Sequence, residues 1–341
     1  MSTGGTSSVT SSRKTLIPVG IAGLGMYVPE KRLTNHDLER IVDTSDEWIM
    51  QRTGIRERRI AAADEFTSGM ATRAALAALA DAKVAGRDVD LVIVCTVTGD
   101  QPFPATSCDV AKNIGADGAG GFDLSAACSG FVFGVQTGAQ YVATGTYKNV
   151  LVIGAEKLSS ILDYTDRNTC VLFGDGAGAV LLTALDRAGR GEYLGGSMGM
   201  QGGNLETLAV PGGGCRHPPS PQSIENRLHF MKMGGNKVFR FAVTTFAELV
   251  ERSMAPYGYE QLGLVIPHQV NQRIIESAAD RVGLPHAMFF SNIIHYGNTS
   301  SASVPIAMTE ACAQGKLVKG KIVCVCAFGA GLAWGHFLVR W

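Results

Sequence analysis

Charge is scarce in this chain. Asp, Glu, Lys and Arg make up 18% of 341 residues, and 30 basic residues cancel 30 acidic ones. Zero net charge with no long basic run argues against a general nucleic-acid binder. Low charge beside 46% hydrophobic content argues against a disordered chain. Long apolar runs are lacking too. The longest, Ile322 to Trp334, is broken by small residues and falls short of the ~20 needed to span a bilayer. No basic-then-apolar start resembles a signal peptide, and the Ser/Thr/Gly-rich residues 1–15 read as a disordered tail. The expectation is a cytoplasmic protein with no nucleic-acid or membrane partner.

Metal-binding spacing is also missing. The eight cysteines, Cys95, Cys108, Cys128, Cys170, Cys215, Cys312, Cys324 and Cys326, form no CxxC pair and have no histidine at zinc-ligand spacing. In a reducing compartment most of them read as buried thiols packed as small hydrophobes. Gly174-Asp-Gly176-Ala-Gly178-Ala179 fits a dinucleotide fingerprint, but a strand, Val180-Leu-Leu-Thr183, follows it. The phosphate site needs a helix N-terminus at that point. Glycine itself is abundant, 42 of 341 residues, against the ~7% usual in proteins. These glycines, with Gly23/Gly25 and Gly329/Gly331, read as close packing between layers.

Unalternating apolar runs at Val89–Thr98, Asn149–Gly154, Ala179–Thr183, Leu262–Ile266 and Lys321–Ala327 suit strands covered on both faces. Helical patterns lie between them at 68–84, 129–144, 236–254 and 270–282. Alternating strands and helices mean an α/β architecture. The order repeats in the two halves, with a boundary in the charged segment 185–192, so the chain divides into 16–188 and 189–341. Residues 195–235, rich in Gly and Pro, read as an irregular lid or binding loop.

Cys128 is the sharpest chemical candidate. It sits in Asp123-Leu-Ser-Ala-Ala-Cys128-Ser-Gly130-Phe131, among small residues just ahead of an apolar helix. Unpaired N–H groups at a helix start favour a thiolate; the alternative is a packed core thiol. His268 follows a buried strand and precedes a helix, where α/β folds display catalytic groups; a capping or solvent-bonded histidine is the alternative. His295 and His336 are weaker candidates, and His217 and His229 read as surface residues. Asn298, in His295-Tyr-Gly297-Asn298-Thr-Ser-Ser301, reads alone as turn or N-cap chemistry. It gains meaning only beside Cys128 and His268.

Together, Asp123–Phe131, Pro267–Asn271, Tyr296–Pro305 (YGNTSSASVP), Phe328–Gly335 (FGAGLAWG), Thr44–Ile49 and Arg52–Arg56 resemble the β-ketoacyl-[acyl-carrier-protein] synthase III family. The match runs from about Ile17 to Trp341. The resemblance implies the thiolase fold, five-layered αβαβα in two pseudo-duplicated halves, and a homodimer. It implies an acyltransferase that condenses a short acyl-CoA primer, such as acetyl-CoA, with malonyl-acyl carrier protein to begin fatty-acid synthesis. No cofactor beyond these substrates is implied, and no metal.

By position, the resemblance makes Cys128, His268 and Asn298 the catalytic triad, and the backbone N–H groups of Cys128 and Ala330 the oxyanion hole. Ala330 stands where the family usually has glycine. Trp48 and Arg167 match a pair that sandwiches adenine, and Arg52, Asn271, Gly235 and Asn236 match further CoA contacts. Phe103 matches a residue closing the primer pocket across the dimer interface. Arg240, Arg273 and Arg281 match carrier-docking positions, with Asp280 departing from the family's basic residue. Two alternatives stand beside this: a thiolase-fold acyltransferase of secondary metabolism using another primer, and a noncatalytic thiolase-fold binding protein.

Overall fold

The structure is a computed structural model that describes residues 15–203 and 206–341, without the side chains of 235–238. The tail expected over 1–15 therefore falls outside the described residues, save Thr15.

The N-terminal half contains β1 (Val19–Tyr27), α1 (Asp46–Thr53), α2 (Thr67–Ala82), β2 (Leu91–Cys95), α3 (Thr106–Ile114) and β3 (Gly120–Leu124). It continues with α4 (Gly130–Ala143), β4 (Val150–Glu156) and β5 (Gly176–Ala184). The second half runs β6 (Glu192–Met200), α5 (Gly235–Met254), β7 (Leu262–Pro267), α6 (Gln272–Val282), α7 (Ser303–Ala313), β8 (Ile322–Gly329) and β9 (Ala333–Arg340).

The strand orders correspond. The first half pairs β1-β5-β4-β2-β3 and the second β6-β9-β8-β7. In both, the first two pairings are antiparallel and the next is parallel (β4 with β2, β8 with β7). The two sheets meet at one register pair, Gly20 with Glu192.

Three hydrophobic clusters define the layers. One lies between α2 and the first sheet, with Met70, Ala74, Val92 and Leu181 fully buried. A central one joins both sheets around α4 and α7, with Phe131, Val152, Met308 and Phe337. The third packs α5 and α6 on the second sheet, with Phe246, Ile275 and Cys324. The sequence of layers is helix, sheet, helix, sheet, helix. No helix among the described residues is long and apolar enough to cross a membrane.

Glycine makes the layers fit. A Cβ on Gly23 would lie 2.0 Å from Ala78 O, and one on Gly25 would lie 2.3 Å from Ala74 O, both on α2. Those same glycines break the apolar run of Val19–Tyr27 and hid β1 from pattern reading, as Gly120 and Gly121 hid β3. Residues 195–235 are also more ordered than expected. Glu192–Met200 is a full strand pairing with β9, and Leu208–Ala209 pairs with Lys232–Met233. Its glycines carry no hydrophobic pattern, so the pairing comes from the partner strand. The strand expected to reach Thr98 stops at Cys95, because Val97 N and the Thr96 and Thr98 hydroxyls turn to the Glu156 carboxylate. The cysteines are mostly buried, but Cys108 and Cys215 are exposed and pack nothing.

Candidate active site

Cys128 lies in a single 3₁₀ turn, Ala127–Ser129, immediately ahead of α4. Ala127 before it has φ of 47°, a left-handed conformation that non-glycine residues rarely hold outside functional sites. Gly329 packs against this turn, where a Cβ would come within 2.8 Å of Cys128 N. The thiol is 5% exposed.

His268 extends the edge of β7, its N–H bonded to Cys326 O of β8 at 2.8 Å. The imidazole is fully buried, edge-on to Phe328 at 5.9 Å between ring centres. Its Nδ1 lies 2.6 Å from Ser303 Oγ on α7, while Nε2 has no partner. Asn298 follows Gly297, and its backbone N–H donates to Leu172 O at 2.8 Å. Its Oδ1 accepts from Ser300 N at 2.8 Å, which leaves the Nδ2 amide protons for the cavity. The three side chains come from distant parts of the chain and line one channel of about 140 Å³, together with Ala330.

The channel joins two larger spaces. Outside is a cleft of about 720 Å³ lined by Trp48, Arg52, Asn168, Arg240, Asn271 and Arg273. Leu172, Met233, Phe239 and Asn271 belong to both cleft and channel. Beyond Cys128 lies an apolar pocket of about 260 Å³, walled by Val97, Leu158, Ile161, Leu208, Val210 and Met231. Polar mouth, narrow neck with a thiol, and apolar end suit a long ligand with a polar head and an acyl tail.

Electrostatics refine the expectation for Cys128. The helix start does not dominate: burial pushes the thiol up to about 12, against opposing hydrogen bonds from Ser300 and its own backbone. Burial drives His268 down to about 3. Desolvation thus favours the neutral form of both the thiol and the imidazole.

The other expected residues divide. Asn271 caps α6, its Oδ1 accepting from Arg273 N and its Nδ2 donating to Arg52 O, each at 2.9 Å. Arg52 and Arg167 flank Trp48 with guanidinium carbons 5.1 and 5.2 Å from its ring centre. A flat base between Trp48 and Arg167 needs about 7 Å, twice a ~3.5 Å contact, more than the 5.2 Å that separates them here. Arg167 also bonds Asp43 O at 2.9 Å. Arg240 and Arg273 line the cleft; Arg281, near the far end of α6, instead bonds Thr244 at 3.2 Å and lines none of it. Phe103 is 84% exposed and lines neither channel nor pocket of its own chain. Gly235 begins α5, and the side chain of Asn236 lies outside the described ones. Among the described residues no cluster of His, Cys, Asp and Glu could hold a metal ion.

Several contributors escaped sequence reasoning. Ser303 and Ser300 lie in a run of small polar residues with nothing to single either out. Glu156 ends a strand whose run was read only as apolar. Arg58 is fully buried, donating to Leu33 O (3.0 Å), Asn35 Oδ1 (2.9 Å) and Val171 O (2.7 Å). It ties the segment before α1 to the loop that bonds Asn298.

Known proteins match this chain throughout. The family described as 3-Oxoacyl-[acyl-carrier-protein (ACP)] synthase III matches residues 122–202, and its C-terminal counterpart matches 254–341. The beta-ketoacyl-[acyl-carrier-protein] synthase III of Symbiobacterium thermophilum is 50% identical, covering 95% of this chain and 98% of its own. That of Desulfitobacterium hafniense is 48% identical, covering 96% and 98%. The crystal structure of the 3-oxoacyl-[acyl-carrier-protein] synthase III from Aquifex aeolicus VF5 superposes with a TM-score of 0.84 at 43% identity, covering 95% of this chain and all of that one.

Proposed function

The chain belongs to the β-ketoacyl-[acyl-carrier-protein] synthase III family, acyltransferases that begin fatty-acid synthesis, and from that premise we propose how its own residues carry the condensation. Cys128 attacks the thioester of a short acyl-CoA such as acetyl-CoA and takes the acyl group onto sulfur. The N–H groups of Cys128 and Ala330 face the carbonyl oxygen as its negative charge develops. Malonyl-carrier protein then enters the same channel and loses CO₂. His268 Nε2–H and Asn298 Nδ2–H donate to the thioester oxygen of the resulting enolate. Its carbon attacks the acyl-cysteine and releases 3-oxoacyl-carrier protein.

The observation that carries this reading is the convergence of Cys128, His268 and Asn298 on one narrow channel, with Nε2 of the buried His268 unpartnered. A neutral imidazole is the species required. Ser303 Oγ accepts from Gln269 N at 3.4 Å, so its own proton is available to His268 Nδ1, and the ring proton then sits on Nε2, aimed into the channel.

The cleft outside suits the nucleotide end of CoA, with Trp48 as the stacking surface and Arg52, Arg167 and Asn271 around it. Arg240 and Arg273 at its rim suit an acidic carrier protein. The first half, 16–188, supplies the nucleophile and the second, 189–341, the two donors. In this reading the enzyme works in the cytoplasm as a homodimer, needs no cofactor beyond its substrates, and takes Phe103 as a contact offered to the second subunit's pocket. The secondary-metabolism alternative gives way to relatives that share about half of all residues over nearly full length and carry the fatty-acid enzyme's name. Intact-protein mass spectrometry after mixing with acetyl-, isobutyryl- or octanoyl-CoA tests the assignment. One acyl adduct on Cys128, absent from Cys128→Ala, is expected; an adduct persisting in that variant sinks it, and a preference for octanoyl-CoA sinks the short primer.

A further inference from the structure

The chemistry above leaves a carboxylate behind the nucleophile without a task. Glu156 ends β4 and is fully buried. Its Oε2 accepts from Thr98 Oγ1 (2.6 Å), Val97 N (3.1 Å) and Thr96 Oγ1 (3.2 Å). Its Oε1 lies 3.1 Å from Ser300 Oγ and 2.9 Å from Ser301 Oγ. All five partners are hydroxyls or an amide, with no cation among them. A carboxylate buried among neutral donors is expensive in its charged form, and desolvation raises this one above its ordinary range.

Ser300 links this carboxylate to the pocket that holds Cys128. It lines that same pocket, and its hydroxyl reaches Glu156 Oε1 at 3.1 Å. It is held there in a left-handed conformation, φ 50°, by the bond from its N–H to Asn298 Oδ1. A non-glycine residue kept in that region beside a nucleophile marks a position set by function.

We propose that Glu156 accepts the Cys128 thiol proton through Ser300 Oγ and returns it at the end of each cycle. This rests on the reading that Cys128 carries the acyl group. In the first half-reaction the S–H proton passes to Ser300 Oγ while the Ser300 O–H proton passes to Glu156 Oε1. The freed sulfur pair forms the bond to the acyl carbon. The bond from that carbon to the CoA sulfur breaks, and CoA leaves as a thiolate that takes a proton from solvent. In the second half-reaction the new C–C bond forms, the carbon–Sγ bond breaks, and the leaving Cys128 thiolate recovers its proton from Glu156 along the same path.

Both states of Glu156 can be satisfied. When the carboxyl is protonated, Ser301 can turn its own O–H to Cys95 O, 2.7 Å away, and accept the new carboxyl proton. His268 is unsuited to the task, because its buried ring stays neutral and needs its Nε2 proton for the enolate. In this relay Ser300 passes the proton beside the reacting sulfur; Glu156, one bond further back, is a positioning residue that holds it.

The test is the pH profile of acetyl transfer from acetyl-CoA to Cys128, read by rapid quench and intact mass, in full-length wild type, Glu156→Gln, Glu156→Asp and Ser300→Ala. Glu156→Gln should slow transfer about a hundredfold near neutral pH, the size of a general-base contribution. The deficit should close as pH rises toward direct ionisation of the thiol, and Glu156→Asp should recover most of the rate. Decarboxylation of malonyl-carrier protein, which moves no thiol proton, should stay near the wild-type rate. A Glu156→Gln profile that superimposes on wild type overturns the proposal. So does a pH-independent loss in which decarboxylation falls in step, since that marks a structural role. If Glu156→Gln does not fold, Ser300→Ala carries the same comparison, and a wild-type profile there overturns it. Wild type left unlabelled at Cys128 would instead overturn the acyl-carrier reading itself.

Discussion

Ser303 Oγ lies 2.6 Å from His268 Nδ1, across the boundary between α7 and the end of β7. In the proposed mechanism this contact sets which ring nitrogen carries the proton. With Ser303 donating to Nδ1, the proton sits on Nε2, where an enolate oxygen can use it. Replacing Ser303 with Ala lets the ring change tautomer or turn. Condensation and malonyl decarboxylation should then fall about ten- to a hundredfold, within the range for one misplaced polar group. Acyl transfer to Cys128 should stay near wild type. Steady-state decarboxylation beside single-turnover acylation separates the two; equal losses in both would refute the tautomer argument.

Cys128→Ala should abolish acyl-enzyme formation and condensation while leaving decarboxylation measurable, because His268 and Asn298 still face the enolate oxygen. Radiolabel from acetyl-CoA should not survive on the denatured variant. Retained condensation would remove Cys128 from the mechanism.

Arg58 donates to three acceptors, Leu33 O, Asn35 Oδ1 and Val171 O. Arg58→Met fills much of the volume but removes three side-chain hydrogen bonds, at about 1 kcal/mol each. A loss of roughly 3 kcal/mol in urea unfolding is expected. KM for acyl-CoA should rise as well, because Arg58 holds the segment before α1 against the loop beside the channel. An unfolding midpoint unchanged from wild type would contradict this account.

Trp48 lines the cleft with two guanidinium groups, those of Arg52 and Arg167, within 5.2 Å of its ring centre. Trp48→Ala should raise KM for acyl-CoA about tenfold, equivalent to ~1.4 kcal/mol of lost stacking. The rate at saturating substrate should change far less, since the ring is remote from Cys128. A fall in kcat with KM unchanged would place Trp48 in another role.

Stability should fall at both ends of the pH scale. His268 sits at about 3 when folded against an ordinary 6.5, so the unfolded chain binds the extra proton, and folding weakens as pH drops through that window. Cys128 runs the other way. Raised from 9.0 to about 12, the folded thiol keeps its proton longer, and folding weakens as pH rises between those values. Each group contributes a slope of up to ~1.4 kcal/mol per pH unit. Urea midpoints against pH should show a shallower acid limb in His268→Asn and a shallower alkaline limb in Cys128→Ala; slopes identical to wild type would show that burial does not set these values.

Alternation of apolar runs with helical patterns was enough for the α/β class, and strand order in the two halves agrees with the duplication read from that pattern. Cys128 and His268 stood out as candidates because each lies where a loop meets a regular element, and such positions can be read from a few neighbouring residues. β1, β3 and β6 were not legible, since their glycines remove the hydrophobic pattern while the partner strand supplies the hydrogen bonds.

Burial and partnership, by contrast, depend on residues far apart in the chain. Nothing near Ser303 tells that it meets His268, nor does anything near Glu156 tell that Ser300 reaches it across 144 positions. The protonation states followed the same rule. A helix start next to a cysteine suggested a thiolate, whereas desolvation, which pushes the thiol up, depends on everything packed around the sulfur. The identity of the candidate residues is a local property, written in short stretches of chain. Their charge, tautomer and supporting contacts are properties of the packed molecule, because a low-dielectric interior and its hydrogen bonds exist only once both halves have closed around them.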